Sequence, residues 1–152
     1  MKFILTLFLI ISSTLAVKAE VINDIIVKNN DRISINTIKT YGDIKIGVDY
    51  SSDDLNNILK NLYETNFFKD ISLKIETNTL VINVVENKLI QTINITGVKS
   101  SRIQDAILES LSLKTKSPFI ESLVEKDLMR IKSSLSMDGY YFSTVTSNIE
   151  DN

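Results

Sequence analysis

One pattern is written twice along this 152-residue chain, and any fold has to accommodate both copies. The first copy opens with Val21-Ile22-Asn23-Asp24-Ile25-Ile26-Val27-Lys28-Asn29-Asn30, an apolar strand pattern running into a turn signal. Ile35, Ile38 and Tyr41 follow at the spacing of a short helix, and Gly42 and Gly47 punctuate the connection after it. Ser51 stands three residues before Asp54, a capping-box start. Leu55, Ile58, Leu59 and Leu62 then line one face of an amphipathic helix. From Asp70 to Glu76 apolar and polar residues alternate strictly, and the polar turn Thr77-Asn78-Thr79 leads into Leu80–Glu86, so the two runs read as a β-hairpin. The unit is β-α-α-β-β, over residues 20–87.

The pattern then restarts. Ile93-Asn94-Ile95-Thr96-Gly97 repeats Ile25-Ile26-Val27-Lys28-Asn29 at an offset of 68, a second first strand. Leu128, Ile131 and Leu135 repeat Leu55, Ile58 and Leu62 at an offset of 73, and Asn66-Phe67-Phe68 returns as Gly139-Tyr140-Tyr141 at the same offset. The growth in offset predicts a longer connection around Lys114 to Ile120, containing Pro118, and Ser122 with Glu125 offers a second capping box. A repeat of this period marks tandem modules. The second unit, residues 88–152, reaches a strand near Val145 to Ile149 and has no counterpart of Leu80–Glu86. It is expected to be incomplete and unstable as given, and the chain to be the front of a longer protein. The fold class is α+β, each module a mixed three-stranded sheet with two helices packed on one face.

The chain holds no histidine and no cysteine. That excludes imidazole acid–base chemistry, Ser-His-Asp and Cys-His nucleophiles, His/Cys zinc sites and disulfides. The adjacent acids Asp53 and Asp54 sit at a helix start, where they complement the positive end of the macrodipole, and sequence neighbours on a helix do not face one shared site. Lys114, Lys116, Arg130 and Lys132 are diluted by Glu121, Glu125 and Asp127, and the formal net charge is −2, so no nucleic-acid partner is expected. Phe67-Phe68 and Tyr140-Tyr141 read as aromatics that lock each second helix onto the following strand. No catalytic, metal or cofactor site emerges, and the chain is not expected to be an enzyme.

Met1-Lys2 precedes the apolar run Phe3 to Ile11, and Val17 and Ala19 place small residues at −3 and −1 of a cleavage site. Residues 1–19 therefore read as a secretory signal peptide cut between Ala19 and Glu20, too short to read as a membrane span. With no cysteine after the cut, a lipoprotein anchor is excluded.

Tandem β-α-α-β-β units behind a signal peptide resemble the POTRA domains of BamA-type outer-membrane assembly factors. The resemblance is strongest in Tyr50-Ser51-Ser52-Asp53-Asp54-Leu55 leading to Leu62-Tyr63-Glu64-Thr65-Asn66-Phe67-Phe68-Lys69-Asp70-Ile71. The family's helix-to-strand passage is leucine-tyrosine-x-threonine-glycine-aromatic-phenylalanine, and Asn66 stands where glycine is usual. Asparagine tolerates the left-handed conformation of a helix C-terminus. The resemblance implies a periplasmic location in a Gram-negative-type cell, unfolded outer-membrane proteins as clients, and docking by a periplasmic chaperone and accessory lipoproteins. It also implies a C-terminal membrane barrel absent from this chain. Two-partner-secretion and autotransporter-assembly transporters share the module. A cell-division protein with one such module is a more distant alternative, because it expects a full membrane span.

One candidate site follows. Ile71, Leu73 and Ile75 alternate with Ser72, Lys74 and Glu76, the pattern of a half-exposed strand, whereas Leu80 to Val85 is apolar on both faces apart from Asn83. With the latter strand central, residues 71–76 form an edge that offers unpaired backbone groups. The residues alone favour an edge blunted by Lys74. The resemblance raises the rival reading, in which an extended client adds a strand there, to equal standing.

Overall fold

The computed structural model describes residues 21–151. The signal-peptide and cleavage-site assignment, Ala19 and Glu20 included, lies outside the described residues. In the first unit strand β1 (Asp24–Lys28) is followed by helices α1 (Ile35–Tyr41) and α2 (Ser52–Glu64), then strands β2 (Phe68–Glu76) and β3 (Thr79–Glu86). The order across the sheet is β1-β3-β2, with β1 parallel and β2 antiparallel to β3. The doubly apolar β3 is central and β2 is an edge, as the hydrophobic pattern predicts. The hairpin turn is one residue tighter than its sequence suggests. Glu76 faces Thr79 across a two-residue loop, Thr77-Asn78, with positive φ at both positions, as a type I′ turn requires.

Ile25 and Val27 of β1, Leu80, Ile82 and Val84 of β3, and Ile71, Leu73 and Ile75 of β2 all join one core with Ile38 of α1 and with Leu55, Ile58, Leu59 and Leu62 of α2. Both helices therefore cover one face of the sheet. Ser34 and Ser51 start them, each accepting the N–H three residues on, and Ser51 with Asp54 closes the reciprocal box that their spacing predicts. Glu86, at the end of β3, gathers the N–H groups of Asp31, Arg32 and Ile33 on one carboxylate oxygen and pairs with the Arg32 guanidinium at 3.1 Å through the other. The turn after β1 is thereby tied to the far end of the central strand.

In the second unit helices α3 (Ser101–Ser110) and α4 (Ser122–Met137) pack around Ile103, Ile107, Leu111 and Leu135, with Ile93, Ile95 and Val145 against them. No strand forms among the described residues beyond 87, so the strands expected at Ile93 and at Val145–Ile149 are absent. In the first unit β1 and β2 both pair with β3 and not with each other. Without a strand between them, residues 93–97 and 145–149 have no ladder to join.

The growth in offset also lies elsewhere than expected. α4 has 16 residues against 13 in α2, so most of the added length enters as helix rather than as loop. Ser122 is the first helical residue, behind Glu121 in helical conformation, and makes no capping box. The repeat holds at finer detail in the backbone. Asn29 and Gly97 are both left-handed, as are Asn66 and Gly139. Ile22 exchanges backbone hydrogen bonds with Gly47 and Val48, and Ile90 does so with Lys116 and Ser117. The left-handed Gly47 is matched by a left-handed Lys116.

Candidate functional site: the open edge of the sheet

The passage from α2 into β2 builds the edge. Leu62 is buried in the core. The Thr65 hydroxyl donates to the Leu62 carbonyl at 2.6 Å and accepts the Phe67 N–H, closing the helix end, while Asn66 takes the left-handed turn at φ 59°. Phe67 meets Tyr41 of α1 edge-to-face at 5.7 Å, and the buried Phe68 shares the core with Ile58 and Leu62 of α2, so the pair ties the start of β2 to both helices. Their counterparts do not: Tyr140 and Tyr141 are exposed, Tyr141 at 71%, because no sheet forms beneath them.

Along β2 the alternation holds. Ile71 is buried, Leu73 and Ile75 are half-buried, and Ser72, Lys74 and Glu76 are exposed on the opposite face. Ile71 donates its N–H to the Tyr63 hydroxyl at 3.0 Å, away from β3. Backbone direction alternates along an antiparallel strand, so the N–H and C=O groups of Leu73 and Ile75 also point outward. No strand among the described residues pairs with that side. The six residues named from sequence thus do form one edge, with one amendment: the Ile71 N–H already has a partner. Tyr63 was the residue that sequence reasoning missed. Its place in the last turn of the helix was visible, but its reach to the strand was not.

Lys74 pairs along the strand: its Nζ sits 2.6 Å from Glu76 on the same face, and this bond holds the Glu76 carboxyl below its usual range. The opposite edge, β1, is less open. It has five residues, and the Ile25 N–H is taken by the Asp24 carboxylate at 2.8 Å.

The other candidates resolve into structure. Asp54 accepts the Ser51 hydroxyl at 2.6 Å and its N–H at 2.9 Å, bonds that lower its pKa, and Asp53 shares the first helical turn. Lys114 reaches the Leu108 and Glu109 carbonyls at 2.8 and 2.9 Å, and Arg130 the Ser110 carbonyl, so two of the four clustered cations close the C-terminus of α3. The buried Asp127 carboxylate accepts the N–H groups of Ser112 and Leu113. Burial alone would raise its pKa, but those donors and Arg130 outweigh it and hold the carboxyl low. No group of three or more potential metal ligands occurs among the described residues, and none of their helices is long and apolar enough to cross a membrane.

Residues 89–152 match the POTRA family described as surface antigen variable number repeat. Over 123 residues, 79% of its length, the chain is 32% identical to the outer membrane protein assembly factor BamA of Neisseria meningitidis. It is 29% identical over 101 residues to the BamA of Nitratidesulfovibrio vulgaris. The N-terminal domain of Omp85 from the thermophilic cyanobacterium Thermosynechococcus elongatus superposes with a TM-score of 0.55 at 11% identity, over 84% of this chain and 56% of that one. That likeness is one of fold. The chain spans 15% of the length of the Neisseria protein and 12% of the Nitratidesulfovibrio one.

Proposed function

Since this chain is a POTRA region of the BamA type, we propose that it is the periplasmic, non-catalytic part of an outer-membrane protein assembly factor. In this reading residues 1–19 are a signal peptide cut between Ala19 and Glu20, residues 20–87 the first module, and residues 88–152 a second, incomplete one. The first module holds unfolded outer-membrane polypeptides, or a chaperone delivering them, by transient strand addition along Ile71–Glu76. Accessory lipoproteins dock on the same modules, and the membrane is reached through a C-terminal barrel outside these 152 residues.

The observation that carries the reading is the open side of β2, where the backbone of Leu73 and Ile75 faces outward and Lys74 pairs along the strand with Glu76. Main-chain pairing reads extended shape with little demand on sequence, which suits a surface that meets many clients. One short added strand buries far less than the roughly 1,200 Å² of a stable interface, so binding is weak and reversible.

The absence of native cysteine makes the test direct. Single cysteines at Ser72 and Lys74 are compared with one at the exposed Glu64 on α2. The probe is a cysteine-bearing peptide of about ten alternating apolar and polar residues taken from a transmembrane strand of an outer-membrane barrel. Preferential crosslinking at positions 72 and 74 is expected. Equal or greater capture at position 64 would reduce β2 to a blunted edge.

A further inference from the structure

Resting on the strand-addition reading above, we infer that Tyr63 is the stop of the pairing edge: its hydroxyl holds the place of an incoming carbonyl at Ile71, so an added strand pairs at Leu73 and Ile75 and goes no further. Tyr63 lies in the last turn of α2, and its Oη accepts the Ile71 N–H at 3.0 Å while donating to Asp70 Oδ1 at 3.2 Å. The Asp70 carboxylate fixes the direction of the hydroxyl proton, which leaves the oxygen lone pairs facing the strand. An added strand would present a carbonyl to the same N–H, and the two cannot bond it together.

A second feature closes the same end of the strand. The β2–β3 register shifts between Phe68 and Asp70, so one extra residue, Lys69, kinks β2 just before Ile71. Bulges of this kind turn an edge away from further pairing. At the other end Glu76 runs into the tight turn. The open length is therefore Leu73 to Glu76, shorter than the hydrophobic alternation suggests. Such a stop keeps the stretch next to the buried Ile71 from acting as a template for another chain, and it sets one register for whatever does pair.

The test compares the full chain with its Tyr63→Phe and Asp70→Ala variants, using the same barrel-strand peptide. Affinity is measured by titration, and amide exchange is followed by NMR at Ile71, Leu73 and Ile75, with Leu80 and Ile82 of β3 reporting that the sheet is intact. In the unaltered chain the peptide is expected to slow exchange at Leu73 and Ile75 and to leave Ile71 unchanged. In Tyr63→Phe, Ile71 exchanges faster without peptide, becomes protected with it, and affinity rises about threefold to tenfold, the worth of one added hydrogen bond. Asp70→Ala keeps the ring and frees the hydroxyl, so it moves the same readings part of the way and decides the matter if Tyr63→Phe loosens β3. If the peptide protects Leu73 and Ile75 but neither variant tightens binding, or if it protects Ile71 in the unaltered chain, Tyr63 is not a stop and strand addition still stands. Absence of protection at Leu73 and Ile75 throughout removes strand addition itself, and the stop with it.

Discussion

Residues 21–87 and 89–151 follow the same plan and are held together differently. In the first unit every layer is present, and β3 carries pairing on both sides while its inner face completes the core under two helices. In the second unit two helices close on each other around four buried residues, and the segments at Ile93 and Val145 rest on them with no ladder. The local devices are shared: the left-handed Asn29 and Gly97, the left-handed Asn66 and Gly139, and the backbone exchange at Ile22 and again at Ile90. What differs is the central strand. Local signals therefore write the plan of the module, and the central strand converts that plan into a cooperative sheet. The likeness to BamA spans both halves, since its 123 aligned residues exceed either one, and the POTRA family match alone falls on residues 89–152, the half without strands.

The largest consequence is in amide exchange. Leu80, Ile82 and Val84 are expected to exchange about a thousandfold or more slowly than Ile93, Ile95 and Val145, since strand amides open only with the whole unit whereas unladdered backbone opens locally. Equal, slow exchange in both halves would break the comparison and show that the second unit is a complete folding unit.

Each half also has one carboxylate that gathers backbone. Glu86 takes three N–H groups and an arginine, and Asp127 takes those of Ser112 and Leu113. Replacing either by alanine leaves those N–H groups, exposed or half-buried, without their acceptor and is expected to cost about 1–2 kcal/mol. In the first unit that lowers the urea midpoint of a sheet that survives. In the second, with so small a core, Asp127→Ala is expected to remove helical signal from α3 and α4 outright. The Asp127 carboxyl titrates below its usual value in the folded chain. Its stabilisation is thus complete above the unfolded value of about 3.9 and drains away as pH falls through the lower, folded one. An acid titration of Asp127→Asn followed by circular dichroism should lose that limb. An unchanged limb would mean the carboxylate does not anchor the loop.

Why some of this was legible and some was not follows from distance along the chain. The hairpin, the central place of β3 and the box at Ser51 rest on neighbours or on period two, so Asp70–Glu86 and Ser51–Asp54 announce themselves. Asn66 could be read as a left-handed turn because only a few residue types adopt one. The bond from Tyr63 to Ile71, the Glu86 cradle and the twin exchanges at Ile22 and Ile90 leave no periodic trace, since each needs the fold before its partners meet. Tyr140 and Tyr141 looked like Phe67 and Phe68 because burial was inferred from residue type, and burial also needs a surface to cover it.

The left-handed helix ends sharpen the comparison next. Gly139→Ala forces a β-carbon into the left-handed region, at about 1–2 kcal/mol, whereas Asn66→Ala keeps the β-carbon already there and loses the short amide that makes asparagine tolerant of it, at about 1 kcal/mol or less. Asn66→Gly is expected to stay within a few tenths. In urea unfolding the Asn66→Ala loss should appear in the main sheet transition, and the Gly139→Ala loss only in the signal of α4. A shift of the main transition by Gly139→Ala would mean the two halves unfold as one.

The smallest expected effect separates the two helix starts that spacing alone treats as equals. Ser51 accepts the Asp54 N–H at 3.2 Å, and the Asp54 carboxylate returns to the Ser51 N–H at 2.9 Å, so Ser51→Ala leaves an orphan donor and is expected to cost about 0.5–1 kcal/mol. Those same bonds hold the Asp54 carboxyl below its usual value. The box is therefore whole above a pH of about 3.9 and fades as pH falls through the folded value, which makes the cost of Ser51→Ala shrink in acid. Ser122 stands inside its helix, behind Glu121 at φ −55° and ψ −39°, and neither residue caps with its side chain. Ser122→Ala removes no bond and should leave stability within a few tenths of a kcal/mol at any pH. An equal, acid-sensitive cost at both serines would mean that α4 starts one residue later in solution and that its box does form, restoring the symmetry that the repeat promises.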